Sequence, residues 1–345
     1  MIQSTPSEIP LMKNLFSSVF FLTTAVLTPM CVPRVHSEEI KTTSIQQQAA
    51  AGDREAQFQL AECYRTGKEL EQDWELAYQW YKKSAEQDYT PAMHAFALCL
   101  IDGYGTDKKQ QEGINILNIC AERGYIKSIH SLIAVYMKGD GEIEKKPDIA
   151  KKWIQIGAEL GDATCMRALS MILLDPAYGT CQTEEGKMWL QRAAQASDAI
   201  AQYELGVMYF LGNYGENKDY VAAKYWLSLA AEQNHSIATF ILGIIYYKGL
   251  GVEQNMEKFV QLCLKSAQLG YGRAQICAAL MYARGEGLPE VPEHAIYWAK
   301  KAADQGEPGA DRIYQTLLKY YYFGNDAIIP VPIQDIDFNL LQREK

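Results

Sequence analysis

The sequence predicts an all-α protein, an α/α solenoid of about seven helix-turn-helix repeats of 36–37 residues. Three columns of residues, kept in phase, carry that prediction. Trp80, Ile116, Trp153, Trp189, Trp226, Leu262 and Trp298 recur at intervals of 36 or 37 and include five of the six tryptophans. A small-residue column runs through Ala56, Ala92, Ser128, Thr164, Ala201, Ala238, Ala274 and Ala310. A third holds Tyr64, Leu100, Tyr136, Ile172, Tyr209, Tyr246 and Tyr282. Self-similarity at this period marks stacked units that share one core. It overrides the two domains that 345 residues would otherwise suggest.

Residues 1–37 read as a secretory signal peptide, with a possible start at Met12 and a cut after Ser37. The apolar run Leu15 to Leu27 is short for a membrane span, so the expectation is a secreted or periplasmic chain with no span once cleaved. An uncleaved anchor is the competing reading. Residues 38–51 form a polar lead-in, and 52–308 hold the repeats.

Within one repeat, Ala201, Leu205, Val207 and Tyr209 mark the first helix by their three-to-four spacing. Gly212 stops it and Gly215 shapes the turn. Asp219 is placed to cap the second helix, as are Asp73 and Asn255, and Pro147 and Pro292 take the next position. Ala223, Trp226, Ala230 and Ala231 follow, with an exit near Asn234 and, elsewhere, at Gly124, Gly161, Gly270 and Gly306. The tryptophans are expected as core spacers set against the alanine pairs. Repeat four has Asp175-Pro176 where the others have glycine, which predicts a distorted turn. Residues 309–323 supply a capping helix. In the tail, 324–345, Pro330 and Pro332 forbid a regular helix.

The line Ala-x-x-x-Leu-Gly-x-x-Tyr-x-x-Gly at 201–212 and 238–249, followed in the first of these by Trp226 and Ala230-Ala231, resembles the Sel-one-like repeat, a relative of the tetratricopeptide repeat. The resemblance covers about residues 52–322. It implies a right-handed superhelix that binds proteins and carries no catalytic residues. Family members recur as adaptors in degradation complexes and as secreted or envelope proteins of bacteria. A cysteine-rich branch linked to penicillin binding gives the enzyme alternative, a cell-wall or β-lactam hydrolase. This chain departs from that branch, because its cysteines do not recur as a fixed pair in each repeat.

The search for chemistry is mostly negative. A net charge of -9 without a basic block argues against nucleic acid. After cleavage, Cys63, Cys99, Cys120, Cys165, Cys181, Cys263 and Cys277 remain, with no Cys-x-x-Cys, and read as small buried side chains. His94 and His130 share a column but find no further ligand in register, so neither metal nor cofactor is expected. The Gly-x-Gly runs recur at the same place in four of the seven repeats and are turns. A sequon, Asn234-His235-Ser236, would suit a further alternative, an adaptor in a eukaryotic secretory degradation complex.

The positive signal is a groove. Residues two, six and nine after the small column should face inward on the first helices. They predict Met166, Leu173, Tyr203, Val207, Phe210, Phe240, Ile244 and Tyr247 as contacts for a protein or peptide ligand. The competing expectation is that these side chains pack between adjacent first helices.

Overall fold

A computed structural model describes residues 34–139, 141, 143–175 and 182–323, and within them the chain is a succession of sixteen helices. Helix α1 (Arg34–Ala50) leads. Seven hairpin pairs follow: α2 (Arg54–Thr66) with α3 (Trp74–Ala85), α4 (Thr90–Asp102) with α5 (Gln110–Glu122), and α6 (Ile126–Lys138) with α7 (Pro147–Glu159). Next come α8 (Ala163–Leu174) with α9 (Thr183–Gln195), and α10 (Ala199–Leu211) with α11 (Tyr220–Glu232). The last pairs are α12 (Ser236–Lys248) with α13 (Met256–Gln268) and α14 (Gly272–Arg284) with α15 (Pro292–Asp304), and α16 (Ala310–Phe323) closes the series. Contacts are densest within a pair and next densest between consecutive pairs. This is the quasi-one-dimensional pattern of a solenoid.

Single helices sit at both ends. Ile45 and Ala49 of α1 are buried against Ala56 and Leu60 of α2, so most of the expected polar lead-in is a packed helix. Leu317 of α16 joins the core of the last pair. Each end helix covers an apolar face that would otherwise meet water. The proposed cut after Ser37 falls inside α1. The rest of the signal segment, Pro176 and the tail 324–345 lie outside the described residues.

One hydrogen bond recurs in all seven hairpins and fixes the register. The residue before each second helix donates its N–H to a carbonyl near the end of the first. The donors are Asp73, Lys109, Lys146, Gln182, Asp219, Asn255 and Val291, and the acceptors are Tyr64, Leu100, Tyr136, Leu173, Tyr209, Tyr246 and Tyr282. Leu173, not Ile172, therefore holds the third column in repeat four. The same slip moves the small column from Thr164, which is exposed, to Cys165, which is buried. The cap confirms it. The Asp162 carboxylate accepts the Cys165 N–H at 2.9 Å, as Asp53 accepts from Ala56 and Asp198 from Ala201, each at 2.7 Å.

The tryptophan column is not the center of the core. Trp80, Trp153 and Trp226 are half-buried, and Trp189 and Trp298 sit at the margin of burial. The fully enclosed column is the next residue along: Tyr81, Leu117, Ile154, Leu190, Leu227, Cys263 and Ala299. The indoles instead lie along the seam between repeats. In three cases a cation three residues later covers the ring: Lys83 over Trp80, Arg192 over Trp189 and Lys301 over Trp298, at 4.1, 4.9 and 5.4 Å. The alanine pairs behave as expected, with Ala193, Ala194, Ala230 and Ala231 buried against the following first helix.

All seven repeats exit through a left-handed residue: Asp88, Gly124, Gly161, Ser197, Asn234, Gly270 and Gly306, with φ between 59° and 96°. Three of these carry a Cβ, which costs roughly 1–2 kcal/mol in this region. Ser197→Gly is therefore expected to stabilise the chain by up to about 1 kcal/mol, since glycine's greater unfolded-state freedom offsets part of the relief. A rise in the urea midpoint of the variant checks this, and no rise would show that the Ser197 turn is not strained.

Candidate functional face

First helices lie on the inner side of the solenoid. α10 touches α12 and α14 touches α16 across an intervening helix, whereas no pair of second helices comes as close among the described residues. In a curved stack the shorter side is the inside. The face available to a ligand there consists of residues two, six and nine after the small column, which share one helical stripe.

The residue two after the small column does not point into an open groove. In repeats one to six it meets the residue just before the next first helix. Phe58 packs on Tyr89, His94 on Tyr125, Tyr203 on His235 and Phe240 on Tyr271, with centroids 4.4–5.7 Å apart. In the middle the same rungs are ionic: His130 Nε2 lies 2.8 Å from Asp162 Oδ2, and Arg167 Nε lies 3.3 Å from Asp198 Oδ1. With the register corrected, Arg167 rather than Met166 occupies this column, and the ladder is continuous from repeat one to repeat six.

Of the expected contact residues, Tyr203 and Phe240 are rungs of this ladder. Leu173, Phe240 and Ile244 are buried in the cores of their layers. Met166 packs between the clusters of successive repeats. Tyr203 and Val207 lean on the core of repeat five and its neighbour, Phe210 spans two clusters, and Tyr247 stacks obliquely on Phe259 at 4.8 Å. Contacts within and between repeats therefore bury Leu173, Phe240 and Ile244 and leave Met166, Tyr203, Val207, Phe210 and Tyr247 half-buried. The reason is spacing: first helices on an inner curve stand close, so their long side chains meet one another before they meet solvent.

What remains open lies further toward the N-terminus. The column six after the small residue reads Leu98, Ala134, Met171 and Val207 in repeats two to five. Ala134 and Met171 are exposed, and Met137, three residues after Ala134, is exposed beside them. Met171 and Met137 keep 51% and 50% of their surface in water, high for apolar side chains in the middle of a solenoid. The first repeat ends this stripe with Glu62, which pairs with Arg65 at 2.6 Å and accepts the Tyr81 hydroxyl. On the outer side, Trp153, Ile156, Leu160 and Arg123 line an open cleft of about 480 Å³ between α5 and α7.

Catalytic geometry is poor where it could arise. His94 Nδ1 stands 3.0 Å from Ser128 Oγ, but Ser128 is fully buried and cannot meet a substrate. Burial, with help from Lys127, depresses His94 to about 4. Cys165 is pushed up to about 12 by burial and by its bond to Asp162, the opposite of an activated thiol. The two histidines of one column do not face each other, since each reaches forward to the next repeat. No described helix is long and apolar enough to cross a membrane.

Comparisons with known proteins agree with this architecture. A family model described as the Sel1 repeat matches residues 54–89, 132–162, 165–198, 199–235, 236–271 and 272–307. Two solved structures superpose well. A Sel1 repeat protein from Oxalobacter formigenes gives a TM-score of 0.66 at 23% identity, covering 84% of this chain and 83% of that one. The antigen c5321 of uropathogenic Escherichia coli gives 0.58 at 26%, covering 82% and 67%. Among curated proteins, chitin synthase regulatory factors 3 and 2 of Schizosaccharomyces pombe are 25% and 29% identical, over 68% and 34% of this chain. The chain spans only 26% and 23% of those relatives.

Proposed function

The chain belongs to the Sel1 repeat family, whose members act as protein–protein interaction scaffolds, and we infer from it that this solenoid is a non-enzymatic adaptor holding a peptide or protein segment on its inner face. One observation carries the site: the exposed apolar side chains of Ala134, Met137 and Met171 on neighbouring first helices, flanked in the same column by the half-buried Leu98 and Val207. Apolar surface contiguous across repeats marks an interaction site. Methionine is well suited to it, because its unbranched chain re-packs around different ligands. The curated relatives are named as regulatory factors, which fits a binding role. The apolar run before Glu38 supports export to a secreted or periplasmic location. Sequencing the mature N-terminus tests that part.

Photo-crosslinking tests the site. A crosslinking residue in place of Met171 is expected to trap a partner in the native compartment, and Met137→Glu is expected to abolish that product. Trapping from Ile156 in place of Met171 would move the site to the outer cleft and refute the inner-face reading.

A further inference from the structure

Where repeat three meets repeat four, three side chains of different donor type converge. His130 Nε2 is 2.8 Å from Asp162 Oδ2, and together with Cys165 Sγ the three donor atoms all lie within 4.8 Å of one another. Among the described residues this is the one such cluster of histidine, cysteine and carboxylate groups. The repeats provide an internal control. The position of Cys165 holds alanine or serine in the other six repeats: Ala56, Ala92, Ser128, Ala201, Ala238 and Ala274. The capping carboxylates Asp53 and Asp198 accept from Ala56 and Ala201, where no sulfur is available. His94, the histidine equivalent to His130, meets Ser128 and the ring of Tyr125. Among the described residues, only at this junction do histidine, carboxylate and thiol groups converge.

The local structure makes room for the sulfur. A Cβ on Gly157 of α7 would lie 2.5 Å from Cys165 Sγ, so the missing side chain is what lets a thiol occupy a column otherwise reserved for a methyl or hydroxymethyl group. The imidazole side is open, with 42% of the His130 side chain in contact with water. Mixed nitrogen, oxygen and sulfur ligation suits a borderline-soft ion, which sits at roughly 2.0–2.3 Å from each donor. Ca²⁺ and Mg²⁺ prefer oxygen alone. Tetrahedral ligation at those lengths puts donor atoms roughly 3–4 Å apart, so the present triangle needs only small side-chain rotations.

We propose that His130, Asp162 and Cys165 form a three-ligand site for a divalent transition-metal ion of the Zn²⁺ class, with its fourth position open to water. The ion joins α6 to α8 and so staples repeat three to repeat four. On binding, the Cys165 thiol gives its proton to solvent, and the Nε2 proton that His130 donates to Asp162 moves by way of solvent to Nδ1, so that Nε2 and the carboxylate oxygen each take a metal bond. The inference is independent of the proposed inner-face ligand.

Cobalt(II) titration of the chelator-stripped full-length chain tests it, because thiolate ligation produces a charge-transfer band in the near ultraviolet. The expected result is a band that saturates at one equivalent and is displaced by Zn²⁺. Cys165→Ala is expected to remove the band, and His130→Phe to weaken binding by about 10-fold or more. Both variants install residue types that other repeats carry in the same columns, Ala56 and Phe58, so the fold is kept, and circular dichroism checks this. Absence of a thiolate band in the wild-type chain, or a band that survives Cys165→Ala, overturns the assignment.

Discussion

Phe259→Ala is expected to lower the free energy of unfolding by about 3–5 kcal/mol, the usual range for emptying a buried aromatic site. Phe259 is fully buried in α13 and is the exception in its column, which otherwise reads Ala77, Gly113, Ala150, Gly186, Ala223 and Ala295. The repeat compensates on the facing helix. Gly243 of α12 offers no side chain, and a Cβ there would sit 3.4 Å from Phe259 Cδ2. Removing the ring therefore leaves a void that Gly243 cannot fill, and it strips Tyr247 of the ring it packs on. Trp226→Ala is the contrast. Trp226 is half-buried on the seam beside Tyr225, so its loss is expected to cost roughly 1–2 kcal/mol. Urea midpoints give the ranking. Hydrogen exchange localises it, since damage in a solenoid spreads mainly to adjacent repeats and should concentrate in repeats five to seven. Equal costs for the two variants would restore the indoles to the center of the core.

That contrast also shows what the sequence made legible. The period and the two helices per repeat recur in all seven repeats, the caps at Asp73, Asp219 and Asn255 in three and the glycine exits in four, and all are local matters of backbone chemistry. Column arithmetic recovers them. The depth of the tryptophans is a different matter: Trp189 and Trp298 belong to core clusters, whereas Trp80, Trp153 and Trp226 only pack against them. Periodicity says that a position is structurally equivalent in every repeat, but not on which side of the helix the shared core lies. Trp226 and Leu227 are equally periodic, and only the rotation of α11 puts Leu227 inside.

Repeat four hid a subtler signal. Thr164 lies 36 residues after Ser128 and looks like the next member of its column. The exit glycines give the true offset: Gly124 precedes Ser128 by four and Gly270 precedes Ala274 by four, so Gly161 points to Cys165. Counting from the cap rather than from the previous repeat finds it. The error had consequences for the site. It placed Met166 on the inner stripe instead of Arg167, and it concealed that the histidine column has a carboxylate and a thiol in reach. How far the contact residues expected in repeats four to six reach solvent was not legible, because a sequence does not show how closely first helices stack: Leu173, Phe240 and Ile244 are buried, while Met166, Tyr203, Val207, Phe210 and Tyr247 are half-buried.

Arg167→Met is expected to destabilise the chain by about 2 kcal/mol at pH 7.5, between the values for an exposed and a buried ion pair, because both side chains keep some contact with water. The Arg167 and Asp198 side chains are only 19% and 13% exposed, and Glu204 lies close enough to feel both. The pair meets at contact distance without an aligned N–H from Nε, so the guanidinium acts here chiefly as a charge. Without it, two carboxylates share a half-dry junction. The pH dependence follows from Glu204, which burial raises to about 6, against the pull of Arg167 and with the push of Asp198. A carboxyl whose folded pKa exceeds its unfolded value binds its proton more tightly when folded. It therefore destabilises as pH rises from the unfolded pKa through the folded one. In the wild type this amounts to about 2 kcal/mol lost between pH 4.5 and pH 7. Glu204→Gln should recover that loss at pH 7.5 and change nothing at pH 4. In Arg167→Met the Glu204 pKa moves higher still, so the destabilisation should shrink as the buffer is acidified and the carboxyl takes up its proton. Stability curves of the three chains in urea between pH 4 and pH 8 decide the matter. A pH-independent cost for Arg167→Met would mean that the guanidinium serves by its packing alone.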